Sequence, residues 1–203
     1  MKGSFCFRRG RVAKRMSERA PVADGCVFCE IARRAPTSTT ALLYSDDKVV
    51  AFKDINPSAF RFLVSDGFMI PLIPLQLSSQ LPYEFGHSLD LGYQELHYLV
   101  IPIEHIPTVK SLQRTEDDHQ LVDHMVKVGK DLLTRDAPNS SEHRFGFHQP
   151  PFNSVDHLHL HCLALPFMPS WRQVKYTPLG PLGGFIEAEK ILERIKPQSE
   201  VYS

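Results

Sequence analysis

No stretch of this 203-residue chain approaches the ~20 consecutive apolar residues that a membrane-spanning helix requires. Net charge is also missing. The 23 Lys and Arg residues are matched by 23 Asp and Glu, so the totals give no field that would draw nucleic acid or an anionic membrane. Cysteine is scarce, at four residues, and no secretory signal peptide opens the chain. The expectation is an intracellular protein rather than a disulfide scaffold. Cytoplasmic residence is favoured, with nuclear or peroxisomal placement open. One absence is local: residues 62–96 contain no Lys or Arg, and their three prolines and irregular apolar residues sustain no period. A structureless stretch of that length is unusual inside a compact domain. It is read as a mobile insertion, with a lid as the alternative.

What is present begins with a basic start. Arg8, Arg9, Arg11, Lys14, Arg15 and Arg19 face a single acid, Glu18, within the first twenty residues. An organelle transit peptide, a disordered basic tail or a start codon upstream of Met16 would each produce this pattern. Residues 1–25 are therefore set apart as a disordered basic extension.

Periodicity then locates the elements. "CVFCEIARR" (26–34) has helical spacing bounded by Pro36, and "KVVAFKDI" (48–55) reads as a strand closed by Asn56-Pro57. "HYLVIP" (97–102) and "HRFGFH" (143–148) are further strands. Thr115 opens the clearest helix, with Leu121, Met125, Val128 and Leu132 in one stripe, and Asp136-Ala-Pro138 stops it. "FIEAEKILERIK" is a last amphipathic helix. This mixture points to an α+β domain with antiparallel pairs.

The chemistry concentrates in "DHLHLHCLAL" (156–165), where His157, His159 and His161 occupy every second position. On a strand they would share one face, about 7 Å apart, opposite Leu158, Leu160, Cys162 and Ala164. Imidazoles so placed suit a nucleophile with helpers or a metal cage. Cys26 and Cys29, at i and i+3 of a helix, share a face suited to zinc, to redox chemistry or to packing.

With "AFKDINP" and "HYLVIPIEHI" upstream, the motif resembles the histidine triad nucleotide-binding family, in its Hint branch. The "RFGFHQPPFNSVDHLHLH" run and the "PLGPLGGFIEAEKILERIKP" tail are similar to a group with animal and plant members. The resemblance implies a small α+β fold: an antiparallel sheet of about five strands, two main helices and a C-terminal helical tail. The domain would span 26–175, interrupted at 62–96, with the tail at 176–203. A homodimer joining two sheets is implied, acting on a purine nucleotide substrate, with neither nucleic acid nor membrane as partner. So is hydrolysis or transfer at the α-phosphorus of adenylyl compounds, such as nucleoside phosphoramidates or adenosine 5′-phosphosulfate, to give AMP.

Carried over to this chain, the resemblance makes His159 the nucleophile and His161 the phosphate contact. His157 supports the nucleophile, and His97 stands behind the triad. Val27, Phe28, Ile31 and Phe52 wall the base, and Asp54, between Lys53 and Ile55, binds the ribose hydroxyls. Ser154 and His148 face the phosphate, His148 standing where better-known members have Asn. No cofactor is required for the chemistry. A structural zinc on Cys26, Cys29, His105 and His157 is implied by some relatives. Two alternatives stay open: a metal-dependent hydrolase using the three histidines as ligands, and a nucleotide-binding interaction protein without catalysis.

Overall fold

A computed structural model describes residues 23, 25–62, 93–140, 142–167, 170–178 and 183–198. Among the described residues, eight strands and three α-helices follow one another along the chain. They are α1 (Val27–Ala32), β1 (Leu42–Ser45), β2 (Val49–Lys53), β3 (Phe60–Phe62), β4 (Tyr93–Glu95), β5 (His97–Pro102), α2 (Glu116–Asp136), β6 (His143–His148), β7 (Leu160–Ala164), β8 (Phe185–Glu187) and α3 (Ala188–Ile195). Six strands form one antiparallel sheet in the order β1-β2-β5-β7-β6-β8. The fold is α+β, as the sequence suggests, with one strand more than the expected five. The extra strand comes from the segment read as a tail: Phe185 to Glu187 pair with His148 to Gly146. Three residues are too few to give a period in sequence, so the pairing that makes them a strand is tertiary.

Alternation divides the sheet into two faces. Val49, Ala51, Tyr98, Val100, Phe145, Phe147, Leu160 and Cys162 pack with α2 and α3 into the main core. Helix α2 forms where its apolar stripe predicts. Its Thr115 hydroxyl accepts from the Asp118 N–H, and Glu116, Asp117 and Asp118 fill the first turn, where the helix dipole favours negative charge. Gly129 lets α2 approach the sheet, since a Cβ there would overlap Cys162 Sγ. Helix α3 adds buried Ala188, Ile191 and Ile195 to the same core.

The opposite face carries Val50, Phe52, Leu99 and Ile101 against Phe28 and Ile31 of α1. His97, His161 and His148 alternate onto this face beside them, all buried. A 3-10 segment, Ser170–Tyr176, lies across it and buries Tyr176 with Ala59, Leu163, Phe167 and Phe185.

The insertion expected at 62–96 has narrower limits. Phe60, Arg61 and Phe62 pair with Glu95, Gln94 and Tyr93 in a separate two-stranded ribbon. Leu96 is 2% exposed, and its backbone bridges Ala59 and Ala164. Residues 63–92, on which the expectation of mobility falls, lie outside the described residues, as do residues 1–22 and 24 of the basic extension 1–25. Among the described residues no helix is long and apolar enough to cross a membrane.

Candidate active site

The histidine stretch enters the sheet later than alternation alone implies. Strand β7 begins at Leu160, so only His161 of the three lies on the sheet. Before it the chain is held by Leu158 N–H donating to the Ile106 carbonyl. The three imidazoles consequently do not line one face as a single cage.

His157 turns toward α1. Its Nε2 lies 3.0 Å from the Pro102 carbonyl, which can only accept, so Nε2 carries the proton and Nδ1 the lone pair. That Nδ1 is 3.5 Å from Cys26 Sγ, 3.5 Å from Cys29 Sγ and 3.3 Å from His105 Nδ1, while Cys29 Sγ is 3.2 Å from His105 Nδ1. A tetrahedral zinc at ordinary bond lengths needs S···N separations of about 3.6 Å and N···N of about 3.4 Å. Donor chemistry and spacing of these four groups fit such an ion. Burial and the neighbouring Cys26 raise the Cys29 thiol above its ordinary range.

His159 is fixed differently. Its Nδ1 lies 2.6 Å from the His157 carbonyl oxygen, so this nitrogen donates and Nε2 keeps its lone pair. No hydrogen bond among the described residues occupies that Nε2. Burial, at 5% exposure, lowers the pKa of His159 and keeps the ring neutral. Its ring stands 5.3 Å from Phe28, which meets Phe52 edge-on at 5.7 Å. A buried, neutral imidazole with one directed lone pair is suited to nucleophilic attack.

His161 is the centre of a chain. Its Nδ1 is 2.9 Å from His97 Nε2, and its Nε2 is 2.8 Å from His148 Nδ1. His148 Nε2 ends the chain on the Lys175 carbonyl at 3.1 Å. At the other end, His97 Nδ1 meets the Ser58 N–H at 3.3 Å and Asp54 Oδ2 at 3.3 Å. Burial lowers His97 and His148 to about 4 and holds His161 well below its ordinary value. All three rings are neutral at neutral pH.

Residues 90–177 match the family described as scavenger mRNA decapping enzyme C-terminal binding. Over 178 residues the chain is 53% identical to the bifunctional adenosine 5′-phosphosulfate phosphorylase/adenylylsulfatase HINT4 of Arabidopsis thaliana, covering 88% of this chain and 96% of that protein. The chain belongs to the histidine triad (HIT) family. It is also 36% identical over 140 residues to the adenosine 5′-monophosphoramidase HINT3 of Xenopus tropicalis, covering 68% of this chain and 67% of that one. A HIT family hydrolase from Clostridium thermocellum superposes with a TM-score of 0.48 at 24% identity, covering 71% of this chain and 94% of that one.

Within this HIT chain the expected residues divide. His97, His148, His159, His161, Phe28, Phe52 and Asp54 converge. His157 reaches His159 through its backbone carbonyl, while its ring joins Cys26, Cys29 and His105. Ile31 is buried beside Phe28 and also borders a cavity of about 390 Å³ lined by Arg34, Ser38, Thr40 and Leu42. Val27 is 48% exposed and Ile55 96% exposed, and Lys53 and Ser154 are exposed as well. Asp54 performs the turn function too, its Oδ1 accepting from Asn56 N–H at 2.8 Å.

Four contributors carry no recognisable sequence signal. Tyr176 covers His97, His148 and His161 with ring centroids 5.6, 5.2 and 5.5 Å away. Arg172 clamps the loop after Asp54 through Asn56, Pro57 and Ser58. Lys175 acts through its carbonyl, and Asn153 borders the small space beside His148, His157 and His159.

Proposed function

We propose that this chain cleaves adenylyl compounds at the α-phosphorus through a nucleotidyl-His159 intermediate, releasing AMP. The observation that carries this reading is the tautomer of His159: Nδ1–H is held by the His157 carbonyl, which leaves the lone pair on Nε2. Attack by Nε2 on the α-phosphorus would form the N–P bond as the bond to the leaving group breaks. Sulfate leaves as an anion, whereas an amine needs a proton. Water then attacks the phosphoramidate, returning neutral His159 and AMP; phosphate in place of water makes the reaction a phosphorolysis. The names of the Arabidopsis and Xenopus relatives support adenosine 5′-phosphosulfate and adenosine phosphoramidates as substrates.

Phe28 and Phe52 would wall the base. Asp54 would accept from the ribose hydroxyls through Oδ2, its Oδ1 being committed to the turn. Cys26, Cys29, His105 and His157 would hold a structural zinc, tying α1 to the chain just ahead of His159. A homodimer would need an edge other than the Gly146–His148 part of β6, which is already paired with β8. Sedimentation velocity tests that association.

The deciding experiment is a chase with α-³²P-labelled substrate. Acid-labile, base-stable label should accumulate on His159, and His159→Ala should lose several orders of magnitude in kcat. Label on another residue, or fast turnover with none, overturns the assignment. AMP binding without any turnover would instead favour a non-catalytic binding protein.

A further inference from the structure

The chain from Ser58 to Lys175 has a direction. Lys175 contributes a carbonyl, which can only accept, so His148 must carry its proton on Nε2 and present Nδ1 as an acceptor. His161 Nε2 at 2.8 Å is therefore the donor, and its Nδ1 accepts from His97 Nε2–H at 2.9 Å. His97 Nδ1 is left to accept from Ser58 N–H. Each short contact then holds one proton, and no ring carries charge. Low pKa values, about 4 for His97 and for His148, agree with neutral rings.

Asp54 pulls the other way. Its Oδ2, 3.3 Å from His97 Nδ1, would favour a proton on that nitrogen. The proton on His161 would then move to Nδ1, facing His97, and its Nε2 lone pair would meet the Nδ1 lone pair of His148 at 2.8 Å. Two lone pairs do not sit at that distance. The acceptor at the His148 end decides the competition.

We propose that His148, anchored on the Lys175 carbonyl, is a positioning residue that sets the tautomers of His161 and His97. In the set direction His161 turns an N–H, not a lone pair, toward His148. His159 Nε2 is then the imidazole lone pair presented to phosphorus, and no second base beside it competes. The tautomer assignment stands on geometry alone; its kinetic consequence rests on the nucleotidyl-transfer reading.

Long-range ¹H–¹⁵N correlation spectra of histidine-labelled protein test this directly. In the wild type His97, His148 and His161 should each be protonated at Nε2 only. His148→Phe removes the acceptor, so His161 and His97 should switch to Nδ1 protonation under the pull of Asp54. The kcat should fall at least about tenfold, the sense of change that a misplaced imidazole tautomer brings. Asp54→Asn alone should leave the His161 tautomer unchanged, and adding it to His148→Phe should return His161 to Nε2 protonation. A wild-type His161 protonated at Nδ1 overturns the proposal with no variant required. So does an unchanged His161 in folded His148→Phe. If the protein turns nothing over, the nucleotidyl-transfer reading fails while the spectra still decide the tautomers.

Discussion

Acid should weaken this fold through its buried histidines, by an amount the structure sets. His97 is fully buried and His148 is 6% exposed, and burial lowers both to about 4 from 6.5. The unfolded chain takes up a proton at each near pH 6.5, whereas the folded chain refuses it until about pH 4. Their contribution is therefore fully present above 6.5 and is lost as pH falls toward 4. Moving from about pH 7 to about pH 5.5 should cost on the order of 1 kcal/mol per histidine, or about 2 kcal/mol for the pair. Urea unfolding at the two pH values, in chelator-free buffer, gives the loss for the wild type. The same pair of measurements on His148→Phe should show a loss smaller by on the order of 1 kcal/mol or more, because one titrating ring is gone. Titrating groups outside the linked rings of His97, His161 and His148 cancel in that difference. An equal loss in wild type and variant would refute the claim that burial keeps His148 neutral.

Three further outcomes are expected. Protein purified without chelator should carry about one zinc per chain, and Cys29→Ser should abolish it in metal analysis and lower Tm; zinc retained by that variant would place the ion elsewhere. Gly129→Ala should destabilise by about 1–3 kcal/mol, because the added methyl overlaps Cys162 Sγ. Cys162→Ala in the same chain should recover part of the loss, and a rise in Tm for Gly129→Ala would disprove the close approach. Replacing residues 63–92 by Asn-Gly should preserve the sheet, since Phe62 already pairs with Tyr93 and a two-residue turn can join paired strands. A deletion that also removes buried Leu96 should cost about 2–5 kcal/mol more, by thermal melting. Equal stability of the two deletions would contradict the burial of Leu96.

Much of this protein is written locally in its sequence. Helix α2 is legible because its stripe, its Thr115 cap and its stop are properties of neighbouring residues. The alternation in "HYLVIP" and "HRFGFH" places Tyr98, Val100, Phe145 and Phe147 on one face and His97 and His148 on the other, whatever lies around them. The triad and the Cys pair announce themselves by residue type and spacing, and the family resemblance singles out Asp54. What the sequence could not decide was which atom of each residue is used. His157 parts from its two companions because the chain has not yet joined the sheet at that point, and Pro102 and the cysteines, 55 and 128 or more residues away, draw its ring aside. Strand β8 exists only because β6 offers it an edge. The direction of the histidine chain depends on the Lys175 carbonyl and the Ser58 N–H, groups that every non-proline residue carries. No side chain advertises them, so only the tertiary fold, by bringing those backbone groups to His148 and His97, assigns the protons.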